Sequence, residues 1–231
     1  PRLKPDGTPF IQTLMFPAAR AKWLDVWNVI GLRATGSDHF EVHDLLVPSR
    51  YAVTREDPAE RRYQSTLYLF PAMSLFAAGF SGTALGIARA MLTAFHDLIL
   101  EKTPRLQRSR LADQEVVQTE IALARARLGA ARAFLERELD DIWQSAKRTN
   151  QVTVDDRMRI RLAVTYGIHE AKDVANTIYD AAGATAIFTG NPYERRFRDM
   201  HTVVQQLQGR KSNFKTVGAY MAGHPPDMTV I

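Results

Sequence analysis

Apolar residues change period partway along the chain, and the change separates two kinds of structure. Before residue 58 they come in short runs broken by proline and glycine. Residues 11–16 and 24–30 read as strands, and Phe40 and Val42 alternate with His39, Glu41 and His43 as a one-face-buried strand should. Between these runs Gly31, Thr35, Gly36, Ser37 and Asp38 mark a tight turn, and the second strand ends near Val47-Pro48.

After residue 58 the spacing becomes three and four. A first helix is expected over 60–101, bent near Pro71, with small residues from Ala77 to Ala88 suited to close packing. Val117, Ile121, Ala124, Leu128, Ala131, Leu135, Leu139 and Ile142 form the seam of a second helix over 112–147. A third runs from a Thr153/Asp156 capping box to Ala182, where Gly183 stops it, with Ile160, Val164, Ile168, Ala171, Ala175 and Ile178 as its stripe. A fourth starts at Asn191 as N-cap with Pro192 behind it, and breaks near Gly209 and Ser212. The pattern predicts a mainly α protein, an antiparallel four-helix bundle over 59–231, preceded by β-structure over 1–58. Proline usage agrees: six of the eleven prolines lie in residues 1–58.

From Tyr63 through Ala88 no residue is charged, a length that could span a bilayer. Pro71, the interspersed glutamine and serines, and the amphipathic helices that follow favour a buried helix of a bundle instead. The formal charge of +5 raises an anionic partner, but bases and acids interleave, as in Arg132, Glu136, Arg137, Glu138, Asp140 and Asp141. That is the pattern of a solvated helix face, and no nucleic-acid motif supports readout. With no cysteine there is no disulfide framework or thiolate metal site, and a cytoplasmic location is expected. His39, Glu41 and His43 could imitate a two-His-one-carboxylate metal set, but reading them as the solvent face is simpler, so no metal is expected.

The phrase Gly31-Leu32-Arg33-Ala34-Thr35-Gly36-Ser37 with Val47-Pro48, the helix spacing, and Ile178-Tyr179 with Gly183 ahead of Arg195-Arg196-Phe197-Arg198-Asp199 resemble the acyl-CoA dehydrogenase superfamily. The resemblance is to its C-terminal part, and it leans toward the branch of two-component flavin monooxygenases. It implies a flavin cofactor, FAD or FMN, and a chain that continues a larger protein, consistent with the start at Pro1. It further implies a homo-oligomer, most simply a tetramer, and a separate flavin reductase as partner. The flavin phosphates would be held by Arg105, with Arg108 or Arg110 as substitutes, and by backbone groups at Ala182, Gly183 and Ala184. In the family a glutamate base follows the Arg-Asp pair, or sits at the start of the first bundle helix. Here those places read Val204-Gln205-Gln206-Leu207-Gln208 and Leu67-Tyr68-Leu69-Phe70-Pro71, with no acid. Gln206 occupies the position where the monooxygenase branch often has histidine; His201 is the nearest titratable group, and no catalytic residue is assigned. Arg198 beside Asp199 suggests an interhelical or intersubunit ion pair.

Three functions remain open on these grounds. The first is the oxygenase component of a two-component flavin monooxygenase acting on an aromatic or polycyclic substrate. The second is an acyl-CoA dehydrogenase, and the third an assembly domain alone.

Overall fold

A computed structural model describes residues 11–54 and 57–226. By contacts these separate into two units, the described residues of 11–72 without 30–32, and 30–32 together with 73–226.

The first unit holds two short antiparallel ribbons. β1 (Thr13–Leu14) pairs with β4 (Ala52–Val53), and β2 (Lys22–Leu24) with β3 (His39–Glu41) in the register Trp23↔Phe40. The strand expected over 24–30 ends at Leu24, and a long connection replaces the tight turn. Asp38 causes this: its Oδ1 takes the amides of Val26 (3.1 Å) and Trp27 (2.9 Å), which removes them from any ladder. Gly36 does turn with φ +54°. The strand expected to continue to Val47 stops at Glu41, and Asp44 reverses the chain at φ +47°. Phe40, expected to face a core, packs at a tilt against Trp23, ring centroids 5.5 Å apart, yet stays 51% exposed. A two-stranded ribbon has no second layer of its own to cover that face.

The second unit is built on α1 (Ala72–Glu101), α2 (Glu115–Thr149), α3 (Val154–Ala182), α4 (Pro192–Val203) and α5 (Ser212–Met221). α3 is its hub, packing on α2, α4 and α5. Its entire predicted stripe is buried. The Thr153 cap forms as expected: Oγ1 takes the Asp156 amide at 3.1 Å and Asp156 returns a bond to the Thr153 amide at 2.9 Å.

Several expectations need correction. α1 begins at Ala72, because Pro71 precedes the first helical residue and has no amide to leave unsatisfied there. It therefore starts the helix where a bend was expected, and residues 58–60 and 66–69 form 3-10 turns. α1 is also not the most enclosed helix: Ser81 and Leu85 pack over Gly167 of α3, while Phe76 is 53% exposed. By length and composition it could cross a membrane, at a mean hydropathy of 1.4, but its Ala77–Ala84–Ala88–Met91–Phe95 face is buried within this unit. The charged face of α2 is only partly solvated. Arg159 of α3 binds Glu138 at 2.6 Å and reaches Asp141 at 3.7 Å, stitching α2 to α3. Asn191 occupies the N-cap position without capping; its side chain turns back to donate to the Thr185 carbonyl at 2.9 Å. The expected break near Gly209 and Ser212 is present: the fourth helix divides into α4 and α5, joined through a 3-10 turn at Leu207–Gly209.

Candidate functional site

The loop after α1 carries the arginines, and its shape follows from a few local bonds. Lys102 closes α1 with its amide on the Leu98 carbonyl (2.9 Å), and Pro104 prevents the helix from continuing. The chain then folds back until the Leu111 amide reaches the Lys102 carbonyl at 2.9 Å, and buried Leu111 anchors the return. Leu106, at φ +67°, sits at the tip and is 95% exposed. Arg110 is structural: it binds the Leu100 carbonyl (3.4 Å) and Asp113 (3.4 Å) and starts the next turn. Arg105 and Arg108 are exposed, and neither makes a hydrogen bond or ion pair among the described residues.

The other half of the predicted site is the end of α3. Ala182 is buried, Gly183 takes φ +58° and ψ −144°, and residues 183–187 wind into a 3-10 turn that leaves Ala184 exposed. Positive φ at Gly183 was expected. Its ψ places it in a region that only glycine occupies readily, outside the left-handed helical well.

Lys102 joins the two halves, and sequence reasoning missed it. Its Nζ donates to the Ala182 carbonyl at 2.7 Å and to Thr185 Oγ1 at 2.8 Å, across eighty residues of chain. An ammonium there satisfies an orphan carbonyl at the helix C-terminus and meets the negative end of the α3 dipole. Burial lowers its pKa from the ordinary lysine value. The only sequence sign is a lysine just after a helix end, which many surface lysines share.

A second constellation explains two of the motifs at once. A Cβ built on Gly31 would lie 2.2 Å from the Arg198 carbonyl oxygen and 2.6 Å from the Asp199 amide nitrogen. The 30–32 backbone therefore lies against the backbone of α4, and only glycine fits. Asp199 Oδ1 takes the Leu32 amide at 2.6 Å, and Arg198 Nη1 donates to the Ile30 carbonyl. Arg198 was expected in an ion pair between helices or subunits; among the described residues its ion pair lies within α4. Arg198 pairs with Glu194 at 2.9 Å, one turn back in α4, and Asp199 lies 3.7 Å from Arg195. Glu194 holds the Arg198 pKa above its usual value, chiefly through their hydrogen bond.

The segment after α4 contains the position where a base was sought. Gln206 caps its own turn, its Oε1 taking the Gln208 amide at 2.7 Å. Gln208 is almost wholly buried and accepts from Arg161 at 2.7 Å, while Asn213 and Thr165 donate to its carbonyl (3.1 and 3.4 Å) and His169 bonds to the Gly209 carbonyl at 2.9 Å. His201 bonds to Asn176 Oδ1 at 3.0 Å and packs on Phe197, which stacks on Tyr179 at 4.1 Å. Burial, then the nearby Lys172 charge, lowers the His201 pKa. Of the metal-like trio, Glu41 is paired with Lys22 (3.1 Å) and His43 (3.7 Å).

Comparison with known proteins follows this geometry. Residues 78–208 match the family described as acyl-CoA dehydrogenase, C-terminal domain. Indole-3-acetate monooxygenase of Acinetobacter baumannii is 28% identical over 212 residues, covering 92% of this chain and 54% of that protein. The oxygenase component of the FADH(2)-dependent resorcinol hydroxylase of a Rhizobium species is 25% identical over 228 residues, 92% of this chain and 55% of that protein. Among solved structures, 3-HSA hydroxylase from Rhodococcus sp. RHA1 superposes with a TM-score of 0.85 at 23% identity, covering 98% of this chain and 61% of that one. Glutaryl-CoA dehydrogenase from Mycobacterium smegmatis gives 0.71 at 15% identity, covering 94% of this chain and 52% of that one. At those identities the structures establish a common fold. The chain spans about half the length of the curated relatives it matches. With residues 78–208, more than half of it, matched to that domain, the chain belongs to the acyl-CoA dehydrogenase family.

Proposed function

We propose that the protein carrying this chain is the oxygenase component of a two-component flavin monooxygenase that hydroxylates an aromatic substrate. The observation that carries the reading is the segment 204–208. Where dehydrogenation needs a carboxylate to take an α-proton, this chain has Gln206 committed to a turn and Gln208 committed to Arg161. Glutamine exchanges no proton near neutral pH. Relatives named as monooxygenases and hydroxylases lend support.

The residues present fit a flavin phosphate. Arg105 and Arg108 offer guanidinium forks, which suit phosphate geometry, and Gly183 keeps the turn clear of a Cβ beside the Lys102 ammonium, which would lie 3.8 Å from it. Arg110, spent on Leu100 and Asp113, is withdrawn as a substitute. Reduced flavin supplies two electrons to O₂, so that one oxygen atom enters the aromatic ring and the other leaves as water. The chain's own contributions are to hold the phosphate end and to keep the loop at 204–211 fixed.

We also infer a homo-oligomer, most simply a tetramer, served by a separate flavin reductase in the cytoplasm. Support for self-association is the groove of about 550 Å³ between α1 and α2, lined by Gly82, Gly86 and Gly129 among others, and, elsewhere on α1, exposed Phe76. The 1–58 and 59–231 division is likewise retained as a proposal, with the first part belonging to a β-domain.

The test is optical. The native polypeptide should purify colourless, take up reduced flavin anaerobically, and hydroxylate phenolic or indolic compounds only when reduced flavin and O₂ are supplied. Tightly held oxidised flavin that bleaches on adding an acyl-CoA would instead identify a dehydrogenase.

A further inference from the structure

Among the described residues Lys102 is the cation that touches both predicted halves of the phosphate site, and it belongs to none of the family's motifs in this chain. Its backbone carbonyl takes the Leu111 amide, so it stands at the neck of the arginine loop. Its side chain is fixed on the Ala182 carbonyl and Thr185 Oγ1. Three residues beyond it comes Arg105, and six beyond it Arg108, both without partners among the described residues. Neck and side chain together mean that the arginine loop has no independent position: wherever the 182–185 turn goes, the base of the loop goes too.

We propose that Lys102 is a positioning residue for the flavin phosphate, a latch that holds the arginine loop and the Gly183 turn in one fixed arrangement so that both address the same anion. The inference rests on the flavin reading above. Two features of the latch suit this task better than mere helix capping. A cap needs one donor on one carbonyl, and water or a backbone amide satisfies most helix ends. Here a long side chain is held at two acceptors on opposite sides of the glycine whose backbone would face the ligand. The flexible lysine stem loses rotamer freedom to do so. Because the ammonium's two bonds go to neutral acceptors, the α3 dipole offsets only part of its charge, and the remainder adds to the field at the turn. A geometry fixed in advance spares the ligand the cost of ordering both pieces when it binds.

The experiment compares flavins with and without phosphate. Dissociation constants for reduced FAD, reduced FMN and reduced riboflavin are measured anaerobically on the native polypeptide. The quantity read is the ratio of the riboflavin constant to that of the tighter phosphate-bearing flavin. In the wild type this ratio should be well above one. In Lys102→Met it should fall by roughly tenfold, about what losing one charge-assisted contact costs, while riboflavin affinity stays within about twofold. Thr185→Val, which removes a single acceptor with little change of shape, should lower the ratio severalfold in the same direction and serves if Lys102→Met fails to fold. Lys102→Arg, which keeps the charge on a longer stem, should recover part of the lost ratio.

A wild-type ratio near one would defeat the flavin-phosphate reading itself, and the latch with it. A high wild-type ratio left unchanged by both Lys102→Met and Thr185→Val would overturn the latch alone, leaving Lys102 a helix cap. Equal weakening of all three flavins in both variants would do the same, because a general loosening ignores the phosphate.

Discussion

Replacing Gly31 with alanine tests whether the turn phrase and the Arg198-Asp199 pair form one structural device. The added Cβ would sit 2.2 Å from the Arg198 carbonyl oxygen and 2.4 Å from its carbon, far inside van der Waals contact. Those atoms belong to helix backbone and cannot rotate away. Two responses exist. If residues 30–32 stay docked, strain of about 1–3 kcal/mol accumulates. If they lift off, the Leu32 amide loses the Asp199 carboxylate and the Ile30 carbonyl loses the Arg198 guanidinium, each worth about 1.5–3 kcal/mol because one partner is charged. The chain takes the cheaper route, which is to stay docked, so we expect a loss of about 1–3 kcal/mol, read as a lower urea midpoint at an unchanged slope. Gly129→Ala is the control: nothing lies within 4 Å of its Cβ and it is inside α2, so stability should hold or rise by up to about 1 kcal/mol. If residues 30–32 stay docked, Asp199→Ala should cost as much in the Gly31→Ala background as in the wild type, whereas little further cost would show that they lift off. Loss below about 0.5 kcal/mol for Gly31→Ala would refute the close approach.

The other predictions are briefer. Gly183→Val should cost about 1–3 kcal/mol in a melt, because valine cannot hold φ +58° with ψ −144° cheaply; no change would show that the turn relaxes freely. Arg105→Ala should leave melting unchanged and weaken flavin binding, whereas Arg110→Ala should lower the melting temperature through lost contacts to Leu100 and Asp113; the reverse pattern would reassign the phosphate arginine. Gln208→Leu removes the 2.7 Å acceptor of the buried Arg161 guanidinium and should cost about 2–4 kcal/mol, so a loss under about 1 kcal/mol would show that Arg161 is well satisfied without it. His201 is held with its pKa below the ordinary 6.5, so the unfolded chain binds its proton more readily. Stability from this group is full above about pH 6.5 and falls as pH drops through and below that value; His201→Gln should flatten that part of the pH–stability curve, and an unaltered curve would contradict it.

The helical layout was legible because packing had written it into a regular spacing. Every stripe residue expected on α3 is buried, and the Thr153 box forms because both of its bonds are local. The errors arise where distant partners decide. Asp38 keeps residues 26 and 27 out of the strand expected over 24–30 by gathering their amides from eleven and twelve residues downstream, and nothing in a strand pattern announces that. Pro71 was read as a bend, although the missing amide suits a first turn just as well, and only the irregular 58–69 segment before it settles the matter.

The site shows the same division in sharper form. Gly183 could be singled out because a glycine after a long periodic stretch already implies unusual backbone angles. Gly31 was found in a motif, but its cause, an α4 backbone more than 160 residues away, belongs to tertiary structure. Arg198 beside Asp199 suggested an ion pair between helices or subunits, yet residues four apart on a helix face one another, and each of the two finds an ionic partner one turn back in α4. Lys102 was invisible for a related reason. A long side chain can serve any acceptor within its reach, so its identity says little until the chain has folded and brought Ala182 and Thr185 beside it. Residues that act by conformation leave a trace in sequence, whereas residues that act by reach do not. On that ground the remaining contributors to the proposed phosphate site should be sought among other long side chains, and Arg105 and Arg108, which the fold leaves without partners among the described residues, are the first two to substitute.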